Sequence, residues 1–261
     1  MIRVGVFGAA GRMGRAVCEA VIEDPELELV AAVDPQHAGL DLRSVVKVES
    51  DLHVAPSADA LVDEGAEVVV DFTVLSAAKE NLAFTAANGI HAVVGTTGFT
   101  ETDLERIRAE FTTSNCIIAP NFAIGAVLMM RFAELAAPWF ETAEVIELHH
   151  DQKVDAPSGT AMLTVERMAS ASADWAPDPT TREVLPGARG SKGPADIRVH
   201  SVRLRGLVAH QEVLLGTTGQ SLVIRHDSYD RSSFMPGVVL AVKQVGSRPG
   251  LTVGLDALLE L

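Results

Sequence analysis

Residues 3–17, RVGVFGAAGRMGRAV, decide the fold. A run of β-branched and small apolar residues breaks at glycines and resumes with apolar residues at helical spacing. It predicts a buried strand, a tight turn and a helix. Gly8, Gly11 and Gly14 are spaced G-x-x-G-x-x-G, one position wider at the start than the usual dinucleotide fingerprint. Glycine lets such a turn approach a ligand closely, and the helix that follows offers unpaired N–H groups and the positive end of its dipole. A pyrophosphate suits that site, with a plain strand-to-helix turn as the simpler alternative. Asp34 closes the second strand, where a carboxylate can accept hydrogen bonds from adenosine ribose hydroxyls. Asp34 would repel a 2′-phosphate that Arg12 would attract, so these residues leave NADH and NADPH both open.

The same alternation continues outward. Runs rich in Val, Ile and Ala at 3–7, 29–33, 68–72, 91–94 and 116–119 end at Gly, Asp, Thr or Pro, and amphipathic stretches at 13–22, 76–88 and 101–111 lie between most of them. Strand then helix, repeated, predicts an α/β fold, a Rossmann-like doubly wound parallel sheet with helices on both faces. Segment 35–66 is less regular and takes one helix, near 58–63. Beyond Asn121 the pattern predicts a helix over 124–140, which Pro138 can end early, and a strand over 143–149. From residue 197, IRVHSVRLRG, AHQEVLLG and SLVIRHD alternate in character and predict a second α+β domain with a mainly antiparallel sheet. A helix over 233–245 and a strand over 251–254 are expected to return to the first domain. The boundaries expected are 1–121 with 232–261 for a dinucleotide-binding domain and 122–231 for a substrate-binding and oligomerisation domain. Segment 174–196, dense in Pro and Gly, reads as a long mobile loop.

Composition narrows the function classes. The chain has 261 residues, 48% of them hydrophobic, enough for a sizeable core. A formal charge of −14 argues against a grip on nucleic acid and favours a small-molecule partner. Cys18 and Cys116 lie far apart in apolar segments, the usage of a reducing compartment. The N-terminus reaches glycines before any run long enough for a signal peptide, and the apolar stretch 116–140 is broken by Pro120, Arg131, Glu134 and Pro138. A cytoplasmic protein that does not enter a membrane is expected.

Two further motifs carry chemistry. GTTG occurs at 95–98, after a strand of the first domain, and at 216–219, between two alternating runs. The first belongs at the carboxyl edge of a parallel sheet, where such folds bind ligands, and the second reads as a hairpin turn. Segment 149–161, HHDQKVDAPSGTA, sets two histidines at a strand end, then Lys153 in a loop, then a helix starting near Pro157. The N–H groups of Ser158, Gly159 and Thr160 at that helix start form a natural carboxylate site. Successive strand residues face opposite sides, so His149 and His150 have different roles if the strand includes both. Each feature alone has a duller explanation in a polar strand end, a solvated lysine or a plain helix cap. A His-His-x-Asp metal site is disfavoured because no further Cys or carboxylate completes a ligand set, and no metal is expected.

Taken together, ELHHDQKVDAPSGTA resembles the signature segment of the 4-hydroxy-tetrahydrodipicolinate reductase family, also called dihydrodipicolinate reductases, of the bacterial diaminopimelate route to lysine. VGVFGAAGRMG, VVDFT, VVGTTGF, APNFAIGAVL and IRHDSYDRSSFMPGVVLAV extend the resemblance over nearly the whole chain. It implies a nicotinamide-dependent oxidoreductase acting on a small cyclic dicarboxylate, usually a homotetramer assembled through the second domain's sheet. By motif position, His149 would be the general acid, Lys153 a proton donor assisting it, and His150, Ser158, Gly159 and Thr160 the substrate-binding residues. The cofactor would be bound by Gly8, Ala9, Ala10, Gly11, Arg12, Met13, Asp34, Phe72, Thr73, Gly95, Thr96, Thr97, Ala119, Pro120, Asn121 and Phe122. Many members place an arginine after the acidic residue of the second strand, where this chain has Pro35. NADH preferred, or both cofactors accepted, is the resulting expectation. Another nicotinamide oxidoreductase is the nearest rival, and a semialdehyde dehydrogenase would need a cysteine in the second domain. A nucleotide-sensing regulator is the rival from outside the enzymes.

Overall fold

In the computed structural model, which describes residues 1–259, the opening stretch folds as β1 (Ile2–Phe7), a glycine turn and α1 (Arg12–Glu23). Gly14, Val17, Cys18 and Val21 form the buried face of α1, the spacing of a helix lying on a sheet. The strands β2 (Leu27–Val33), β3 (Val54–Ala55), β4 (Val68–Asp71), β5 (His91–Val94) and β6 (Cys116–Ile118) follow. Between them lie α2 (Asp59–Asp63), α3 (Leu75–Ala87) and α4 (Glu101–Glu110). All pairings among these strands are parallel. Strand β4 reads VVVD and is buried at every position, as a strand covered on both faces must be. Thr100 and Asp103 form a capping box on α4, and Lys79 of α3 reaches Asp103 at 2.7 Å, which ties the two helices together. Segment 35–66 also holds short 3-10 turns at Pro35–His37 and Leu42–Ser44. These and the two-residue β3 are too short to show a hydrophobic period, so the sequence pattern reveals only the helix near them.

A second set of elements begins with α5 (Ile124–Ala136). Pro138 sits in a 3-10 turn, Ala137–Trp139, so the regular helix stops short of the expected residue 140. Proline has no N–H to donate, and its ring crowds the carbonyl of the preceding turn. Then come β7 (Thr142–His149), α6 (Gly159–Ala171), β8 (Ser191–Lys192), β9 (Arg198–Arg203), β10 (Ala209–Thr217) and β11 (Gln220–Ser228). Their sheet has the order β11-β10-β7-β9-β8. Three of its pairings are antiparallel, but β7 and β9 run parallel because the chain crosses back through α6 between them. The second GTTG closes the β10–β11 hairpin. Segment 174–196 is fastened to this sheet by Asp178 to Arg198 at 2.6 Å and Arg189 to Glu144 at 2.5 Å, which the loop-like composition does not reveal.

The chain then returns to the first sheet with α7 (Met235–Gln244) and β12 (Leu251–Val253), which pairs in parallel with β6. The completed sheet has the order β12-β6-β5-β4-β1-β2-β3. Two compact units result, Met1–Phe122 with the chain from Phe234 onward, and Ala123–Ser233. No described helix is long and apolar enough to cross a membrane.

Candidate active site

In the first unit the glycine turn is shaped by two glycines. Gly8 has φ +63°, a conformation side chains disfavour, and a Cβ on Gly14 would stand 2.1 Å from the Gly8 carbonyl oxygen. Helix α1 therefore packs directly onto the turn, which is closed by Gly11 N–H donating to Gly8 O at 2.8 Å. Asp34 is buried at the end of β2. Its Oδ2 accepts from Ala10 N–H at 3.2 Å and its Oδ1 from Gln36 N–H at 3.1 Å, so the carboxylate holds the turn from behind with acceptor capacity left over. His37 places Nδ1 3.1 Å from Asp34 Oδ1, a neighbour the sequence reading missed. Its only sequence signal is its position three residues after Asp34. Arg12 is exposed on the turn, Ala9 and Ala10 are buried, and Met13 is half-buried.

Strand order sets β6, β5, β4 and β1 side by side, so the segments that follow them share the carboxyl edge of one sheet. Thr96 Oγ1 donates to Thr73 O at 2.7 Å. The Phe72 and Phe122 rings pack with centroids 5.5 Å apart, and a Cβ on Gly95 would stand 1.9 Å from Phe72. Gly95 thus makes room for the ring pair that joins the ends of β4 and β6. Ala119 N–H donates to Val94 O at 3.0 Å, which fixes the start of the segment containing Pro120 and Asn121. Thr97 is exposed along the same edge. Asp71 accepts from Thr73 N–H at 2.7 Å and Asn81 Nδ2 at 2.7 Å and fastens this edge. A cradle without side chains at Gly8 and Gly14, with a carboxylate at the next strand end, fits a dinucleotide.

In the second unit β7 delivers His149 beside Arg203 of β9 and Ala209 of β10. Its Nδ1 lies 2.5 Å from Glu147 Oε2. Burial, the largest influence, lowers the His149 pKa, aided by the Lys153 and Arg203 cations and opposed by Glu147. Burial alone would raise the Glu147 carboxyl, yet hydrogen bonds from Arg203, Ser201 and His149 together hold it below the usual carboxylate range. The regular strand ends at His149, and His150 lies exposed just beyond it, with its carbonyl accepting from Lys153 N–H at 3.2 Å. Lys153 Nζ pairs with Asp155 at 2.7 Å. Helix α6 starts at Gly159 rather than Pro157, because Ser158 is its N-cap, accepting from Ala161 N–H at 3.2 Å. Ser158 N–H donates to Glu147 Oε1 at 3.2 Å, so of the expected three-amide cradle Ser158 faces inward. Gly159 and Thr160 form the first turn, and nothing lies within 4 Å of a Cβ built on Gly159. Glu147 and Arg203 are site residues that sequence reasoning missed. A buried glutamate two residues before a histidine on one strand face was the available signal.

Among the described residues no cluster of three His, Cys, Asp or Glu side chains is placed to hold a metal. Both cysteines are buried free thiols of the first unit. Burial raises both thiols, Cys18 to about 12 with help from the Glu19 charge, which leaves neither a nucleophile and removes the basis for a semialdehyde dehydrogenase.

A glycine turn backed by an acidic strand end, in one chain with a carboxylate-held histidine beside a lysine, defines an oxidoreductase built on a Rossmann-type nucleotide-binding sheet. Family models described as dihydrodipicolinate reductase, N-terminus and C-terminus, match residues 2–122 and 125–259, and the chain belongs to that family. It is 52% identical to the 4-hydroxy-tetrahydrodipicolinate reductase of Nocardia farcinica, over 100% of this chain and 99% of the relative. The enzyme of the same name from Mycolicibacterium vanbaalenii is 50% identical over 100% of both chains. Among solved structures, a dipicolinate-bound dihydrodipicolinate reductase from Paenisporosarcina sp. TG-14 superposes with a TM-score of 0.87 at 41% identity, covering 98% of this chain and 99% of that one.

Proposed function

We propose that this chain reduces 4-hydroxy-tetrahydrodipicolinate to tetrahydrodipicolinate in the diaminopimelate route to lysine, with NADH or NADPH as reductant. The observation that carries the reading is the His149 imidazole, held at Nδ1 by buried Glu147 and close enough to Lys153 to feel its charge. Once the 4-hydroxyl has left as water, the ring bears a conjugated imine, and a bound nicotinamide dinucleotide would supply the hydride to it. The chain supplies the rest. Gly159 and Thr160, at the positive end of α6, bind a substrate carboxylate through charge-assisted hydrogen bonds, with Ser158 setting the turn and His150 as a further polar contact. Lys153 exchanges its contact with Asp155 for a second substrate carboxylate and assists His149 as a proton donor.

His149 then gives a proton to the ring position where carbanion character develops, and keeps its Nδ1 proton toward Glu147. A dianionic substrate raises the proton affinity of His149, so burial that lowers it in the free protein does not leave the acid unloaded. Positioned acids of this kind contribute factors of about 10² to 10⁴. His149→Gln and Lys153→Ala are therefore each expected to lower kcat by at least about a hundredfold. Near wild-type kcat in both variants overturns the roles.

The cofactor contacts are the glycine turn from Gly8 to Met13, Asp34 and the strand-end residues Phe72, Thr73, Gly95, Thr96, Thr97, Ala119, Pro120, Asn121 and Phe122. A homotetramer formed through the second unit's sheet belongs to the same reading. The exposed apolar side chains Leu222 and Val223 on edge strand β11 support it. A cytoplasmic location agrees with two free, buried thiols.

A further inference from the structure

Glu147, the partner of His149 Nδ1, lies at the centre of the proton site. Its side chain is 0% exposed. Oε2 meets His149 Nδ1 at 2.5 Å and accepts from Arg203 Nη1 at 2.8 Å, while Oε1 accepts from Arg203 Nη2 at 2.8 Å and Ser158 N–H at 3.2 Å. Arg203 Nη2 also donates to Asp155 O at 2.7 Å. One carboxylate thus gathers the end of β7, strand β9 and the start of α6, and through Arg203 the loop that carries Lys153.

We propose that Glu147 is the positioning residue of His149, holding Nδ1 protonated so that Nε2 delivers the proton, and that Arg203 keeps Glu147 an anion. The inference rests on His149 being the general acid. An imidazole whose Nδ1–H is anchored to a carboxylate has one tautomer and one ring orientation, so its other nitrogen faces the reacting atom without a search. The bidentate guanidinium prevents the opposite outcome, in which the short contact to His149 moves the proton onto the glutamate. The charged groups around His149 are Glu147 on its own strand, Arg203 on β9, and Lys153 and Asp155 in the loop, while β10 places uncharged Ala209 beside it. Removing the anion therefore moves the His149 midpoint down, and removing the guanidinium moves it up. Charge proximity alone gives these opposed directions, so a purely structural ion pair is told apart by whether the kcat effect of Glu147 depends on His149.

The test uses the full chain and follows the His149 imidazole by NMR titration alongside kcat/KM against pH. Glu147→Gln is expected to lower the His149 midpoint by about one pH unit and Arg203→Met to raise it. Glu147→Gln should lower kcat by about tenfold or more in the wild-type background and by less than about twofold in His149→Gln, because the effect travels through the imidazole. Glu147→Asp, which keeps the charge and shortens the reach, should restore the midpoint and only part of kcat. An unshifted midpoint in both Glu147→Gln and Arg203→Met overturns the proposal, as does an equal loss of kcat in both backgrounds. Should Glu147→Gln not fold, Arg203→Met decides alone, by the direction of its midpoint and by whether its kcat effect depends on His149. Near wild-type turnover by His149→Gln itself would instead refute the acid role. Slow His149→Gln with an unmoved midpoint in Glu147→Gln refutes only the positioning.

Discussion

Replacing Gly159 by Ala should make the protein more stable and a worse enzyme. Gly159 is the first residue of α6, and a Cβ built there meets nothing within 4 Å, so the folded chain has no steric reason to resist the methyl group. Gly→Ala at a compatible position stabilises by about 0.4–1 kcal/mol, chiefly by restricting the unfolded chain. For a unit of this size, roughly a hundred residues, that raises its Tm by about 2–6 °C. The same methyl group occupies space that a substrate carboxylate needs in order to reach the α6 N-terminus. A charge-assisted hydrogen bond is worth about 1.5–3 kcal/mol, so holding the carboxylate off should raise KM by about 10- to 100-fold. Thermal unfolding gives the first quantity. The second comes from oxidation of NADH or NADPH, coupled to the synthase that makes the unstable substrate. A raised Tm with unchanged KM refutes a carboxylate site at Gly159. A lowered Tm refutes the premise that the space is open.

Gly14→Ala should act in the opposite sense. Its Cβ would press to 2.1 Å on the backbone oxygen of Gly8, and overpacking of about 1–3 kcal/mol outweighs the 0.5–1 kcal/mol of helix propensity gained, so calorimetry should show a less stable first unit with weaker dinucleotide binding. Cofactor choice follows from Asp34, Pro35 and Arg12. NADH should be preferred or both cofactors accepted, and Arg12→Ala should reduce the affinity for NADPH more than for NADH in titration calorimetry. A hundredfold preference of wild-type kcat/KM for NADPH counts against that reading.

Much of the first unit was legible because its information is local. Each buried strand is a continuous apolar run, each helix carries a face at its own period, and the glycine turn announces itself between β1 and α1. The features that escaped are short. Strand β3 and the 3-10 turn at Pro35–His37 offer no period to read, so His37 beside Asp34 was invisible. In the second unit the alternating strands were clear, but the parallel pairing of β7 with β9 depends on where the chain crosses through α6, which no strand's own sequence records.

The candidate site divides in the same way. Residue types and spacing in HHDQKVDAPSGTA determine, without any fold, that an acid, a cation and a helix start lie close together, because they are neighbours in sequence. Only the tertiary structure decided how the acid is held. Glu147 and Arg203 are separated by 56 positions and meet because β7 and β9 pair in one register, which places a buried carboxylate between a guanidinium, an imidazole and a helix cap. Contacts within one turn or strand follow from the side chains concerned, whereas contacts across a sheet are fixed by pairing that the whole unit must satisfy at once.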